Sequence, residues 1–513
     1  MGLGGKFLNL IKSMYKSVQQ CIKLNHVLIE PIMTTLGVKQ RCNLSPLLFN
    51  LFIEDLKMEF DITCDQVKLG SVSFSHLLFA DDLVLLSTSQ AGLQECLNRL
   101  SDYCDRWGLN INLKKSNVMI FNKTGRIPKG VRFTCGGVDI PLTNRYKYLG
   151  ILLSSSGSFK PAIDNLCDRS RKAYFAVRAV LSKVGYDSTI SFKIFDSLIK
   201  PIITYNCEIW SQFSQCQTNF LSNQAEKEHL IFETALKEPE TQHLRLCKSI
   251  LGVNRACSNL AVLGDLGRMP LKLFCYKQML LFFHRLLNAS ENSLVKQAFN
   301  ESNLLRREGH FSWVASIQQL FLALDLHFDL DKLKNMRKSS FQKLVEKRLQ
   351  QKYHTYWLEA ISKTQGQSKK GSNKLRTYCL FKSQLQKEPY CLLQDKDLRR
   401  NMAKLRCSDH NLRIETGRRE SIPAEQRLCR LCSLNKVENE EHFLLECPVY
   451  QPLRVKLFFA FEKEIRTFHS FDNRQKFIYL LSCEDQKLLL EVAKYIRDAF
   501  KLRPNIPALA LIP

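Results

Sequence analysis

The sequence has no long apolar run. None of its apolar stretches reaches the roughly 18 residues that span a bilayer, and Lys6 and Lys12 interrupt what would otherwise be the apolar core of a signal peptide. It also has no internal repeat. The lack of a membrane-spanning run and of a signal-peptide core predicts an intracellular protein, in the nucleus, the cytoplasm or both, with no membrane partner.

Acidic residues are few compared with basic ones. The chain has 49 Asp and Glu against 75 Lys and Arg, which gives a formal charge of +26. The basic residues are spread along the sequence instead of forming a tail, as expected for surfaces that face a polyanion. RNA or DNA is therefore the predicted partner, and the oligomeric state stays open.

A disulfide framework is not indicated. The 19 cysteines have irregular spacings and no export signal precedes them, so most are expected to be buried thiols. A chain of 513 residues with 45% hydrophobic content is long enough for several cores. Two to four domains are expected.

The pattern of apolar and turn residues predicts an α+β chain. Its predicted elements are a helix from about Lys6 to Gln20, a short strand with a return over 21–32, a helix from Pro46 to about Phe60 capped by Ser45, two strands over 66–87 around a turn at Ala80-Asp81-Asp82, a helix over 89–107, short strands over 117–153, and mainly helix from 161 onward.

The stretch HLLFADDLVLLS (76–87) places adjacent carboxylates, Asp81 and Asp82, at the turn between two apolar strands. A Mg²⁺ ion in a two-metal nucleotidyl transferase is held by such hard oxygen ligands and keeps several waters. Asp also favours turns for reasons unrelated to metals. Taken alone, the dipeptide favours an ordinary turn.

The surroundings favour the metal site, because four ordered stretches resemble the reverse transcriptases of non-LTR (LINE-type) retrotransposons. They are GVKQRCNLSPLLFNLFIEDL (37–56), FADDLVLLS (79–87), WGLNINLKKSNVM (107–119) and YKYLGILLSSSG (146–157). A further stretch, SLIKPIITYNCEIW (197–210), resembles the segment that follows the thumb in these elements. The resemblance implies an RNA-directed DNA polymerase that acts on an RNA and DNA template-primer.

The resemblance also implies roles for individual residues. Asp81 is expected to be the principal Mg²⁺ ligand with Asp82 beside it, and Lys115 is expected near the leaving pyrophosphate. An ordinary solvated lysine is the alternative for Lys115. The remaining implied positions are Gly37, Gln40, Ser45, Pro46, Phe79 and Ala80 at the template and nucleotide, and Tyr148, Leu149 and Gly150 in the primer grip.

Two departures from the family pattern bear on activity. Arg41 and Asn43 stand where the family usually has Gly and Pro, so a tight backbone approach is expected to be lost. The family's first catalytic motif, a strand with a metal-binding Asp, precedes the helix that GLGGKFLNLIKSMY resembles, and the sequence begins at that helix. We therefore expect an N-terminally truncated, catalytically incomplete polymerase with half of a two-metal site.

A second constellation is Cys429-x2-Cys432-x9-His442-x4-Cys447. Three thiolates and an imidazole form a closed tetrahedral Zn²⁺ site, and chance clustering of cysteines is the alternative. The region again resembles the C-terminal part of LINE-type proteins. The arginines that precede it are expected either to bind phosphates or to lie on a solvated helix face: Arg399, Arg400, Arg406, Arg413, Arg418 and Arg419. For His410 a polar surface position is expected, and a fifth metal ligand is the alternative.

A helix from Ile163 to Lys183 resembles a polymerase thumb. Ile163, Leu166, Ala173 and Val177 are its expected core, and its basic residues are expected on other faces, where they track a nucleic-acid backbone or are simply solvated: Arg169, Arg171, Lys172 and Arg178.

The resulting fold prediction is an incomplete right-hand polymerase palm followed by a mostly helical region and a zinc module. Its boundaries are a partial palm at 1–157, a thumb-like region at 158–290, a helical connector at 291–400 with a linker near 363–374, a basic segment with the CCHC module at 401–460, and a helical tail at 461–513. The competing interpretations are a non-enzymatic zinc- and nucleic-acid-binding protein derived from a retrotransposon, and a pseudogene-like product with no stable role.

Overall fold

The computed structural model describes residues 4–25, 27–34, 37–39, 41–60, 65–211, 232, 237–363 and 374–503. Contacts divide the chain into two compact units. The first comprises Met1–Tyr146 and Ser155–Gly157, and the second comprises Lys147–Ser154 and Ser158–Pro513. Among the described helices, none is both long and apolar enough to cross a membrane.

The first unit combines helices with short strands. Its helices are α1 (Gly5–Lys16), α2 (Ser45–Phe52) and α3 (Gln90–Trp107), with a 3-10 segment at Glu54–Glu59. Its strands are β1 (Val18–Gln20), β2 (Lys23–Leu24), β3 (Val27–Leu28), β4 (Ile32–Thr34), β5 (Val67–Leu69), β6 (Val72–Phe74), β7 (His76–Phe79), β8 (Asp82–Leu85), β9 (Thr134–Cys135) and β10 (Val138–Asp139). The next strand, β11 (Arg145–Tyr148), begins in the first unit and ends in the second, and β12 (Ile151–Ser154) belongs to the second unit.

The described strands form six separate pairs: β1 with β4, β2 with β3, β5 with β6, β7 with β8, β9 with β10, and β11 with β12. The sequence predicted one hairpin over 66–87, but the structure has two. Gly70, at φ +59, turns the chain between β5 and β6. The predicted combination of helices and strands is present, whereas the assignment of this unit to an incomplete polymerase palm stays a prediction.

Helix α3 confirms the prediction for 89–107. The Ser89 hydroxyl accepts a hydrogen bond from the Gly92 N–H at its start, and Gly108 ends it at φ +62. Leu97 and Cys104 are buried, but Trp107 is 46% exposed. The buried face of α3 therefore ends before its last turn.

The second unit is helical. Its helices are α4 (Lys160–Lys183), α5 (Ser188–Ile194), α6 (Lys200–Ile203), α7 (Cys207–Trp210), α8 (Lys237–Leu251), α9 (Asn259–Asp265), α10 (Leu271–Leu287), α11 (Leu294–Arg307), α12 (Trp313–Ala323), α13 (Leu330–Lys334), α14 (Lys338–Lys363), α15 (Tyr378–Phe381), α16 (Lys396–Arg406), α17 (Arg413–Arg419), α18 (Gln451–Glu464), α19 (Asn473–Ser482) and α20 (Gln486–Leu502). The mainly helical character predicted from 161 onward is confirmed.

One apolar core runs through the second unit from Tyr174 in α4 to Ala499 in α20, and it includes Cys429, Cys432 and Cys447. The finer division of this unit into thumb, connector and zinc module stays a prediction. Residues 364–373, most of the predicted linker, lie outside the described residues. Sixteen described cysteines have free thiols, and most of these are buried.

Candidate active site and metal centre

Asp81 and Asp82 lie at the exposed tip of the β7–β8 hairpin. Phe79 pairs with Asp82 and His76 with Leu85, so the turn consists of Ala80 and Asp81. Because side chains alternate along a strand, Leu83 and Leu85 share a face, and both pack on the small core around Phe60 and Tyr103. The Asp82 side chain lies on the opposite face of β8 and is exposed.

The turn itself is strained. Ala80 has φ +53, a left-handed conformation that glycine adopts more readily than alanine. Phe79 beside it is 62% exposed. Backbone conformations of this kind cluster at functional sites, where the surrounding structure holds them. The hairpin presents both carboxylates to solvent on a fixed turn.

The neighbouring carboxylates are engaged elsewhere. Asp55 accepts a hydrogen bond from the Tyr103 hydroxyl at 2.6 Å, and Asp65 accepts one from Ser89. Burial and the Asp55 carboxylate raise the pKa of Tyr103. Within the described residues, no group of three potential metal ligands includes Asp81 or Asp82.

The predicted template loop is held by Ser45, but not as a helix cap. The Ser45 hydroxyl donates to the Lys39 carbonyl at 2.7 Å and lies 3.1 Å from the Tyr15 hydroxyl. Helix α2 starts at Ser45 itself with no side-chain cap, so the predicted N-cap role is wrong. The hydroxyl of the buried Ser45 instead connects the start of α2 to the loop at Lys39.

Two other positions of the predicted template loop, Gly37 and Arg41, have left-handed backbone conformations. Gly37 has φ +82, and Pro46 lies in the first turn of α2. Arg41 has φ +60, so an arginine occupies a conformation that favours glycine. Gln40 lies outside the described residues.

Lys115 is exposed in the loop that follows α3. Its carbonyl accepts a hydrogen bond from the Tyr146 hydroxyl at 2.9 Å, and its N–H donates to the Asn112 carbonyl at 3.0 Å. The backbone is therefore fixed while the ammonium group faces solvent. Its predicted role at the pyrophosphate stays a prediction.

The predicted primer grip is a tight turn in the second unit. Leu149 and Gly150 connect β11 to β12, and both have positive φ, +45 and +86. The Tyr205 hydroxyl donates to the Leu149 carbonyl at 2.8 Å, and Arg169 donates to the Gly150 carbonyl at 3.3 Å. The sequence pattern predicted neither of these two contacts.

Cys429, Cys432, His442 and Cys447 come together as predicted. All four are buried, and their ligand atoms lie within 4.8 Å of one another. Sulfurs bound to one tetrahedral zinc ion are about 3.8 Å apart, so the group fits a small tetrahedral cation. A three-thiol, one-imidazole donor set is typical of zinc.

Local hydrogen bonds shape this group. The Cys429 N–H donates to the Lys436 carbonyl at 2.9 Å, and the Cys447 N–H donates to the His442 carbonyl at 2.8 Å. The hydrogen bond with Cys447, followed by burial, raises the pKa of Cys429 to about 12. The same hydrogen bond lowers the pKa of Cys447. A cation bound by these residues would displace the thiol protons, because only the thiolate is a metal ligand.

Two supporting residues escaped the sequence reasoning. Glu446 lies 3.3 Å from Nδ1 of His442, which leaves Nε2 directed at Cys432, 3.4 Å away. The Arg454 guanidinium donates to the carbonyls of Cys447 and Leu444. A carboxylate behind a ligating histidine fixes its orientation. The four-residue spacing from His442 to Glu446 was the available signal.

The arginines before the zinc motif do not form one basic face. Arg406 is buried and pairs with Asp265 and Glu388, at 2.9 Å each, so both predicted environments, phosphate and solvent, are wrong for it. Arg413 pairs with Glu420 and Arg418 with Glu415. Arg399 donates to carbonyls of Leu393, Gln394 and Gly185, whereas Arg400 and Arg419 are exposed.

His410 is also buried, contrary to the expected surface position. Its Nε2 lies 2.9 Å from Glu440, which also binds Arg376. Buried carboxylates require such partners, and Glu440 lies just ahead of His442 in the sequence. The polar surroundings of His410 in the sequence gave no signal of this contact.

Residues 5–153 match the family model of reverse transcriptase (RNA-dependent DNA polymerase). The chain is 27% identical over 218 residues to the probable RNA-directed DNA polymerase from transposon X-element of Drosophila melanogaster, covering 40% of this chain and 23% of that relative. It is also 27% identical over 201 residues to the RNA-directed DNA polymerase from mobile element jockey of the same species, covering 37% and 21%.

A third relative is the Pol polyprotein from type-1 retrotransposable element R2 of Nasonia vitripennis, 30% identical over 143 residues, with 26% of this chain and 14% of that relative covered. The chain thus spans less than a quarter of the length of these curated relatives. Residues 5–153 carry a reverse transcriptase domain, and the chain resembles the RNA-directed DNA polymerases of non-LTR retrotransposons.

Proposed function

We propose that the chain acts in RNA-templated DNA synthesis and binds Mg²⁺ through Asp81 and Asp82. The observation that carries this proposal is the exposed pair of carboxylates on a strained hairpin turn inside the matched segment 5–153. Bound Mg²⁺ would neutralise charge on the triphosphate and the attacking primer oxygen. The hairpin holds the two carboxylates in place, which avoids reorganisation during the reaction.

The other residues take supporting roles in this proposal. The exposed ammonium of Lys115 stabilises negative charge that develops on the pyrophosphate. The loop with Gly37, Gln40, Ser45 and Pro46, together with Phe79 and Ala80, lines the template and nucleotide. Tyr148, Leu149 and Gly150 act as the primer grip, and RNA and DNA are the partners.

The proposed two-metal site needs a further carboxylate. Two ions about 4 Å apart share a bridging ligand, and within the described part of the chain no third ligand accompanies Asp81 and Asp82. We therefore propose that these residues supply only part of the site. Another segment, in this chain or added in trans, has to supply the remainder.

Incorporation of labelled nucleotide on a primed RNA template tests this proposal. The chain alone is expected to give no product with Mg²⁺ or Mn²⁺, and adding a fragment that contains the relatives' first catalytic strand is expected to restore synthesis. The same fragment added to Asp81→Ala should give none. Synthesis by the unaided chain that disappears in Asp81→Ala would refute the partial-site proposal.

The second candidate is a non-enzymatic zinc- and nucleic-acid-binding protein. The buried Cys429, Cys432, His442 and Cys447 group favours it, because this group needs nothing from the polymerase site. Tight binding of primed RNA, together with inactivity even after the fragment with the first catalytic strand is added, would favour this candidate. Zn²⁺ is then the only metal that the chain requires.

A further inference from the structure

The turn at Leu149 and Gly150 is held by side chains that lie beyond it in the sequence. The Tyr205 hydroxyl binds the Leu149 carbonyl at 2.8 Å, and the Arg169 guanidinium binds the Gly150 carbonyl at 3.3 Å. Arg169 comes from α4, and Tyr205 precedes the short helix α7. The two successive carbonyls of the turn therefore each have a separate side-chain donor.

The backbone of this turn needs such support. Leu149 has φ +45, which L-residues with a side chain seldom adopt, and Gly150 has φ +86. A Cβ added at Gly150 would lie 3.2 Å from Cε1 of the Tyr205 ring. The Tyr205 ring thus touches the glycine while its hydroxyl holds the preceding residue, and together these contacts select one turn conformation.

Tyr205 is itself anchored. Nε1 of the buried Trp210 donates to the Tyr205 carbonyl at 2.7 Å. Trp210 and Cys207 pack in a small core with Ile151, the residue that follows the turn, and with Leu166 of α4. The turn, the segment 205–210 and helix α4 therefore form one packed group.

Tyr205 remains 42% exposed although its hydroxyl and ring both contact the turn. A tyrosine that served packing alone would gain more from burial. We propose that Tyr205, assisted by Arg169, is a positioning residue that holds the Leu149-Gly150 turn in the conformation that orients the 3′ end of a primer. This inference rests on the proposed role of the turn as a primer grip.

The test uses the full chain and a DNA primer with 2-aminopurine at its 3′ end, annealed to an RNA template. Fluorescence of this base reports how the terminus is held, and anisotropy of a label at the far end of the duplex reports affinity. Tyr205→Phe removes the hydroxyl and keeps the ring. One hydrogen bond of ordinary strength corresponds to about a fivefold shift in a conformational equilibrium. We therefore expect the ratio of held to free primer termini to fall about fivefold in Tyr205→Phe, with unchanged affinity and melting temperature.

Tyr495→Phe is the matched control, because its hydroxyl donates to the Phe443 carbonyl at 2.8 Å, away from the turn. It should leave the terminus signal unchanged. Gly150→Ala keeps Tyr205 but places a methyl group against its ring and strains the turn itself, because Gly150 has φ +86. It should therefore lower the terminus signal at least as much as Tyr205→Phe.

Failure of the inference and failure of the proposed function give different outcomes. If the wild-type chain holds the terminus and Tyr205→Phe holds it equally well, the inference is wrong. If Tyr205→Phe lowers the melting temperature and the affinity together with the signal, the role is structural and the inference is also wrong. If the wild-type chain gives no response to primed RNA, the proposed function fails, and the inference fails with it.

Discussion

Individual residues in this chain carry conformations and charges that their neighbours in sequence do not reveal. Arg41 occupies a left-handed position at φ +60, and the resemblance to relatives with glycine was the signal for it. Arg406, by contrast, lies in a basic stretch of sequence but is buried against Asp265. Its partner is 141 positions away, so no local pattern could reveal the pair.

Replacing Arg41 with glycine should stabilise the chain. Relief of the left-handed conformation outweighs the entropy that glycine adds to the unfolded state, for a net gain of about 0.5–1 kcal/mol. Thermal unfolding of Arg41→Gly and Arg41→Ala measures this gain, since alanine removes the side chain but keeps the Cβ. Equal stability of the two variants would contradict the backbone explanation.

Replacing Asp265 should destabilise the chain strongly. Asp265 accepts hydrogen bonds from Arg406, Tyr378 and Tyr390 and is fully buried. Removing one partner of a buried ion pair typically costs about 3–5 kcal/mol, which we expect for Asp265→Asn. The exposed pair of Asp168 and Arg171, 3.1 Å apart, is the control, and Asp168→Asn should cost less than about 1 kcal/mol.

The same carboxylate predicts a pH dependence. Burial raises the pKa of Asp265, but the Arg406 guanidinium outweighs burial and holds the pKa below its ordinary value. A carboxyl with a lowered folded pKa stabilises above its unfolded pKa of about 3.9, and this stability is lost as the pH falls further. Denaturant unfolding of the wild-type chain should therefore weaken below about pH 4. A decline of the same size in Asp265→Asn would show that other groups cause it.

Helices and hairpins were predictable where their signals are local. Helix α3 follows from its apolar period and from Ser89 and Gly108 at its ends, and the β7–β8 hairpin follows from two apolar runs around a turn. The predicted helix from Pro46 to Phe60 instead ends at Phe52 and continues as a 3-10 segment to Glu59. The pairing of strands into a palm sheet depends on contacts between distant segments, which periodicity does not encode.

The metal-ligand motif was predictable because short spacings fix its geometry, whereas its surroundings were not. Its cysteines belong to the core that unites the helices of the second unit.

We expect about one zinc ion per full chain and none in the Cys432→Ser variant. Cys483→Ser is the matched control, since both cysteines are 7% exposed and only Cys432 belongs to the group. Equal zinc content in the two variants would contradict the assignment.

Removal of zinc by a chelator should affect the two units differently. Because metal binding and folding are coupled, a chelator should lower the thermal stability of the helical unit while hydrogen exchange in the hairpin at 76–85 stays unchanged. Loss of protection in the hairpin on chelation would show that the zinc group stabilises both units.

The charge of the whole molecule is the last feature with a measurable consequence. The formal charge is +26, but Arg376, Arg413 and Arg418 near the zinc group pair with carboxylates, which leaves them less available to a polyanion than exposed, unpaired positions. Helix α4 carries Arg169, Lys172 and Arg178 on exposed positions. We therefore expect nucleic-acid affinity to depend on residues of this kind instead of on total charge.

Affinity for primed RNA should fall about 10³- to 10⁵-fold between 50 and 200 mM salt if six to ten phosphates are contacted. Arg178→Gln should lower the slope of log affinity against log salt by about one, because one phosphate contact is lost. Lys456→Gln, at an exposed position on α18, removes the same charge elsewhere and should leave the slope unchanged. Equal effects of the two variants would mean that the positive charge acts diffusely, and a flat salt dependence of the wild-type chain would contradict binding to phosphates altogether.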